Sequence, residues 1–379
     1  LAARPLARLL APGFEGARME LTVDLIRVTT AGVGLLVLAA WCLGVLNSHR
    51  RFFLSYVAPV LWNAAQIAVL AAALRGDWEP ANAARALAWG LVVGGLLQFG
   101  TQAIAVCRID AKIRLSSPRK LPAVKQVVRR FGPAVLGRGV LQLSSYLDLM
   151  LASLLVTGSV AALMSAQVLY ILPISLFAVS IAAAELPEMS RRPSGAKVVE
   201  RGGPAMRRVA FLVLFCCVIY VMLGDMVVES LFGWGAFENN DVIAVWFVLG
   251  AYSLGLPAVG ISRIYQNALY SRGNTGGPAR VAAVRMLVAA GLGLGLMFPF
   301  DQLSIVGGSL VGGNHLFDSW GPLSASVRLA DGFPHLGAVG LAIGSTVGAW
   351  VELVLLARQV QLTFDGFPRS RSVLVPLLP

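Results

Sequence analysis

The sequence predicts an all-α fold: a polytopic bundle of about nine membrane-spanning helices. Two observations carry this reading. Of 379 residues, 57% are hydrophobic and only 13% charged, with a mean hydropathy of +0.75; water-soluble domains carry about 25% charged residues. The apolar residues also gather in runs of about 20, the length that crosses the hydrocarbon core of a bilayer. Backbone groups in lipid must be satisfied within their own segment, so such runs are helices. A membrane barrel would show alternating segments of about 10 residues instead.

In chain order the spans are expected over residues 28–47, 54–74, 84–106, 133–156, 160–187, 209–232, 243–269, 281–300 and 335–357, joined mostly by short polar loops. The interval 301–334 is rich in Gly, Ser and Asn and weakly apolar from Ile305 to Val311. It reads as a surface loop, with a hairpin or a re-entrant piece as alternatives. The first residue is Leu1, and Val373 to Pro379 resembles the start of another span, so the chain is expected to continue at both ends.

Charge placement orients the bundle, because loops rich in Lys and Arg stay on the cytoplasmic side. Numbered alternately, one set of loops collects most of the 31 basic residues. These are the loops near 50, 108–130, 191–208, 271–285 and 358–371, including Arg50, Arg51, Arg108, Arg272, Arg285 and Arg358. This set is expected to be cytoplasmic. Asp77, Glu79, Glu238, Asp241, Asp301, Asp318 and Asp331 fall on the opposite side. The net charge of +12 then reflects topology and contact with anionic lipid. It does not indicate nucleic-acid binding, since aromatic residues do not interleave with the bases as a stacking platform requires.

Enzyme signatures are missing. His49, His315 and His335 lie far apart, outside any HExxH pattern. Cys42, Cys107, Cys216 and Cys217 lack metal-ligand spacing and read as thiols in lipid or core. There is no Walker loop and no GxSxG. Gly273 to Pro278 reads as a turn before a helix. No catalytic residue, metal or cofactor is expected.

Polar residues inside the spans are the remaining candidates, because ionisable groups in a bilayer are expensive and face a cavity or a partner. Arg138 and Asp148 share one span, nearly three helical turns apart, with Gln142 and Ser145 between them at helical spacing. Arg263 and Gln266 form a second pair beside Asn267, and Asn63 and Gln66 lie in the second span. A stripe of this kind on several helices lines a hydrated cavity, or else holds the bundle together through interhelical hydrogen bonds. Glu352, near the cytoplasmic end of the last span, is expected to snorkel. Pro59, Pro173, Pro187 and Pro257 mark bends of the kind transporters use.

Several motifs occur in an order that resembles a known family. Ala11-Pro12-Gly13-Phe14 with Glu20-Leu21-Thr22 comes first, then Gly44 to Phe52 and Ala58-Pro59-Val60-Leu61-Trp62-Asn63. Gly132 to Gly137 follows, leading through Gln142, Asp148, Ala152-Ser153 and Gly158-Ser159-Val160 to Leu172-Pro173. Phe232 to Phe237, Tyr252 to Pro257 and Tyr270-Ser271-Arg272 complete the series. Together they resemble the MurJ (MviN) lipid II flippase family, of the multidrug/oligosaccharidyl-lipid/polysaccharide exporter (MOP) superfamily, over nearly the whole chain except 301–334.

That resemblance implies a MATE/MOP-like two-lobe transporter of fourteen spans in the bacterial inner membrane. It works by alternating access around a cationic cavity and moves a lipid-linked anionic precursor of peptidoglycan. This chain would hold spans four to twelve, with residues 1–130 the C-terminal part of the N-lobe and 131–379 the C-lobe. Arg138, Gln142, Asp148, Arg263, Gln266 and Asn63 are then the cavity candidates, and Asp148 a group that titrates or binds a coupling cation. The chain departs from the family before Pro173: an Arg and, three residues on, a Glu are usual there, whereas Val168 and Ile171 occupy those positions. Two alternatives therefore stand beside flipping, namely export of another polyprenyl-linked oligosaccharide and a non-transporting scaffold in cell-wall synthesis.

Overall fold

The computed structural model describes residues 2–109, 146–190, 195–235, 237–274, 276–312, 320–328 and 332–368. Among these, eight helical segments are long and apolar enough to cross a membrane. The chain divides into two compact units, Leu1–Arg129 and Arg130–Pro379. Of the expected fourth span, residues 133–145 lie outside the described residues; residues 146–152 are helical.

Unit 1 contains α1 (Ala3–Leu10), α2 (Gly16–Ser48), α3 (Phe52–Arg75) and α4 (Pro80–Ile109). Helix α2 starts twelve residues before the expected boundary of 28. Its first turns are polar, yet no Pro or Gly interrupts them after Gly16. The Thr22 and Thr29 hydroxyls fold back onto the Arg18 and Leu25 carbonyls at 2.8 Å. Helix α4 packs against both α2 and α3, and small residues make the close approach possible. A Cβ on Gly94 would fall 3.0 Å from the Trp62 carbonyl oxygen, and one on Gly95 3.3 Å from the Gly32 oxygen.

Unit 2 contains α5 (Ser159–Pro173), a π-helical turn (Ile174–Val179), α6 (Ser180–Ser190), α7 (Gly195–Met222), α8 (Gly224–Phe232), α9 (Asn239–Ser253), α10 (Leu256–Ser271), α11 (Gly276–Asp301), the strands β1 (Ser304–Val306) and β2 (Ser309–Val311), α12 (Ala325–Arg328) and α13 (Gly337–Thr363). The proline bends have clear local causes. Pro173 has no N–H for the Leu169 carbonyl, and the Tyr220 hydroxyl donates to that oxygen instead at 2.9 Å. The next six residues adopt the wider π turn. Pro257 sits in the first turn of α10, where its missing N–H would have no partner in any case. The expected seventh span is thus two helices broken at Leu254–Gly255.

The expected sixth span, 209–232, is corrected. The crossing helix ends at Met222, and α8 follows after a break at Leu223. Gly224 makes the break possible, since a Cβ there would lie 2.5 Å from the Trp246 ring. The Trp246 indole donates to the Tyr220 carbonyl at 3.2 Å and satisfies that end of α7.

Within 301–334, the described residues 304–311 form a hairpin, one of the alternatives to a plain surface loop. Strands β1 and β2 form an antiparallel hairpin closed by Gly307 and Gly308, both at positive φ (57° and 78°), as a two-residue hairpin turn requires. Ile305 is fully buried, and its N–H donates to the Pro334 carbonyl at 2.9 Å. The most intimate helix pair is α11 with α13. A Cβ on Gly344 would fall 2.5 Å from the Gly293 nitrogen and 2.6 Å from the Ala289 oxygen.

Candidate functional site

The close approach of α11 and α13 sets the chemistry of unit 2. Gly348 lies against the Arg285 carbonyl and side-chain stem. One turn further along α13, Glu352 accepts from the Arg285 guanidinium at 2.6 Å. Glu352 is 1% exposed. The other Glu352 oxygen accepts from Gln266 Nε2 at 2.9 Å, and Gln266 Oε1 accepts from Arg263 at 3.2 Å. Three helices thus carry one hydrogen-bonded chain, Arg263–Gln266–Glu352–Arg285. Arg263 and Gln266 reach each other because residues three apart share a helix face.

Two expectations are corrected here. Glu352 does not snorkel to an edge, because a guanidinium meets it inside the bundle and removes the need to reach water. Arg285 does not belong to the 271–285 loop; it sits about 14 Å along α11 from Gly276 at 1.5 Å per residue. Glu352 lies about 17 Å from the Thr363 end of α13 on the same measure. Opposite charges at nearly equal depth in consecutive antiparallel spans are the signal that could have found this pair, which the sequence reading missed.

A second polar cluster surrounds Asp148, which is buried. It accepts from the Ser345 hydroxyl at 3.2 Å and, more loosely, from the Tyr252 hydroxyl at 3.5 Å. Tyr252 accepts in turn from Gln167 at 3.2 Å, and its ring packs on Tyr170 with centroids 5.0 Å apart. Arg285 lies within electrostatic range of Asp148. Tyr170 lies within range of Asp148, Glu352, Arg263 and Arg285, so the two clusters share one electrostatic environment. Two guanidinium groups and two carboxylates fall within that environment, Arg285 and Glu352 in direct contact. The set is neutral with Asp148 ionised and carries one surplus positive charge once Asp148 is neutralised. Ser345 and Gln167 were not singled out in the sequence, since uncharged polar residues in spans are common, and Tyr252 stood out only as the start of a family motif.

Arg138 and Gln142 lie outside the described residues. Asn63 lies in unit 1, exposed on α3. Asn267 donates to the Ala182 carbonyl at 2.6 Å, a helix-to-helix tie. His335 Nδ1 meets the Asp301 carbonyl. Val168 and Ile171 are 59% and 55% exposed on α5. Among the described residues, no group of His, Cys, Asp and Glu is placed to hold a metal.

The comparisons with known proteins agree with one another. The family model described as "Lipid II flippase MurJ" matches residues 1–316. A probable lipid II flippase MurJ of Rhizobium tropici is 32% identical over 296 residues, 77% of this chain and 55% of that protein. The probable lipid II flippase MurJ of Rhizobium meliloti (strain 1021) is 28% identical over 354 residues, 92% of this chain and 59% of its own. The chain therefore spans a little over half the length of these relatives. Among solved structures, "Lipid II flippase MurJ, inward closed conformation" aligns over 98% of this chain and 70% of that one, with a TM-score of 0.73 at 20% identity, which speaks for the fold. An ordered set of motifs, a helical bundle with charges buried across its spans, and a family match over most of its length lead to one assignment: the chain belongs to the lipid II flippase MurJ family.

Proposed function

We propose that the protein moves a lipid-linked peptidoglycan precursor, lipid II, across the bacterial inner membrane by alternating access, as a transporter and not as an enzyme. The observation that carries this is the Arg285–Glu352 ion pair and the buried Asp148 carboxylate, set with the half-buried Arg263 across several spans of unit 2. A bundle held only by packing has no need of buried charge, which stays costly even when paired. In this reading the Asp148 carboxylate keeps the set neutral at rest. A proton or cation on Asp148 leaves the Arg263 and Arg285 guanidinium groups with a surplus charge for an anionic diphosphate, which guanidinium binds in bidentate fashion. The lipid tail stays in the bilayer. Arg138 and Gln142 remain candidates for substrate contact, as does Asn63 in unit 1, and residues 1–130 and 131–379 are parts of the two lobes. The loops near 50, 108–130, 191–208, 271–284 and 358–371 face the cytoplasm.

The test is rescue of a strain depleted of its own lipid II flippase, with lipid II in the outer leaflet as the readout. The parent chain is expected to restore export. R263A and D148N are expected to lower it about tenfold or more while the protein still accumulates in the membrane, because hydrogen bonds to charged groups contribute about 1.5–3 kcal/mol. The exposure of apolar Val168 and Ile171, where charge is usual in the family, favours a scaffold as the second reading. Failure of the parent chain to restore export would select the scaffold, and full rescue by both variants would show that Arg263 and Asp148 do not carry the transport.

A further inference from the structure

Helix α8 starts where the crossing of α7 ends, at the break of Leu223. Its nine residues make a helix about 14 Å long at 1.5 Å per residue, under half the roughly 30 Å of a hydrocarbon core, so α8 does not cross the membrane. At about 100° per residue, its side chains fall into three sectors. Gly224, Val228 and Phe232 face the bundle: the first two are buried, and the Phe232 ring packs near Phe237 with centroids 6.2 Å apart. Asp225 and Glu229, four residues apart, form the second sector. Met226, Val227, Ser230 and Leu231 form the third, on the other flank. Ser230 is its one polar side chain, and that hydroxyl is already donated to the Val227 carbonyl at 2.9 Å. The Trp234 indole donates to the Ser230 carbonyl at 3.3 Å, which lays its ring beside the same flank. Met226, Leu231 and Trp234 are 64%, 56% and 78% exposed, so no part of the described chain covers them.

The surface that this flank continues says what covers it. Phe211, Phe215, Val218 and Met222 are exposed on α7, and their spacing of four, three and four residues puts them on one face. On a helix long and apolar enough to cross a membrane, such a stripe meets hydrocarbon. It runs out at Met222 and Leu223, directly before the apolar flank of α8. An α8 held in water would strand three large apolar side chains. An α8 sunk in hydrocarbon would strand Asp225 and Glu229. The boundary between the two suits both flanks, and Trp favours that depth because its ring is apolar and its N–H polar. We propose that α8 lies in the membrane boundary at the Met222 end of α7, with Met226, Leu231 and Trp234 among phospholipid acyl chains and Asp225 and Glu229 turned to water. This contact sets the depth at which α7 stops and α9 begins. It is independent of which molecule the protein transports.

The test uses the full chain in a cysteine-free background, one copy per nanodisc of phosphatidylethanolamine and phosphatidylglycerol. Each of D225C, M226C, E229C and L231C carries one nitroxide spin label. Oxygen concentrates in lipid and a nickel chelate stays in water, so the ratio of their collision rates with the label reads its surroundings. That ratio is expected to be about threefold or more higher at 226 and 231 than at 225 and 229, as for a helix half sunk in the boundary. Equal ratios at all four positions would overturn the proposal. So would labels at 226 and 231 that meet the chelate in single-copy discs and escape it only in protein-crowded liposomes, since a second copy would then be the cover. A second measurement keeps the native cysteines. The emission that W234F removes should be quenched by phospholipid brominated high on its acyl chains. Persistence of that emission in brominated discs would overturn the proposal even where a labelled variant fails to fold.

Discussion

Truncating Glu352 leaves the Arg285 guanidinium inside unit 2 without the 2.6 Å partner it has now. Removing one member of a buried ion pair costs about 3–5 kcal/mol, whereas replacing both members with apolar residues is often neutral. Glu352→Ala is therefore expected to destabilise the protein by about that amount, and Arg285→Met with Glu352→Leu to recover most of the loss, both read by unfolding in detergent. A pair of no consequence would give equal unfolding temperatures in all three proteins. The sequence revealed these residues unevenly. Arg263 and Gln266 could be paired on paper because three residues separate them on one helix. Arg285 and Glu352 lie 67 residues apart, and only a comparison of depth in neighbouring spans connects them. Asp148 stood out as a carboxylate in an apolar run, but Ser345 did not, and Tyr252 appeared only within a motif and not as a donor, because hydroxyls need no special partner to be tolerated in a membrane helix.

Elements were legible in proportion to their length. Runs of about 20 apolar residues define a helix almost regardless of detail, so the α4, α11 and α13 crossings lie close to where the sequence puts them. Breaks depend on single residues and their neighbours. The stop at Leu223 needs Gly224 on one helix and Trp246 on another, a coincidence that hydropathy does not register. The same dependence on one atom's width governs the α11–α13 contact. Gly344→Val would place side-chain atoms where the Gly293 nitrogen and Ala289 oxygen now lie within 2.6 Å of the Cβ position. Backbone cannot rotate away as a side chain can, so the loss belongs at the upper end of the roughly 1–3 kcal/mol typical of overpacking. It should appear as a lower unfolding temperature and a weaker Arg285–Glu352 coupling in a double-mutant cycle. Gly291→Ala, with open space around its Cβ, is expected to be close to neutral.

For the whole molecule, the charge pattern gives an orientation that labelling can check. In a cysteine-free background, Gly308→Cys in the hairpin turn should react with a membrane-impermeant maleimide on intact cells. Gly273→Cys, before α11, should react only after permeabilisation. Equal labelling of both from outside would refute the orientation. Family membership was legible in the order of short motifs, whereas the hairpin was only one of the alternatives for 301–334 and α12 was not foreseen, since that interval has no counterpart in those motifs. The interruption between α9 and α10 has one more consequence. Carbonyls freed there are taken up by α13: Thr346 donates to Ala251 at 2.7 Å and Trp350 to Leu254 at 3.0 Å. The joint is splinted from outside, so it cannot flex alone without exposing bare carbonyls to hydrocarbon, at a cost of several kcal/mol for each. Because α13 is also seated backbone to backbone on α11, the smallest piece that can swing is α9, α10, α11 and α13 together, a four-helix lever in place of a bending rod.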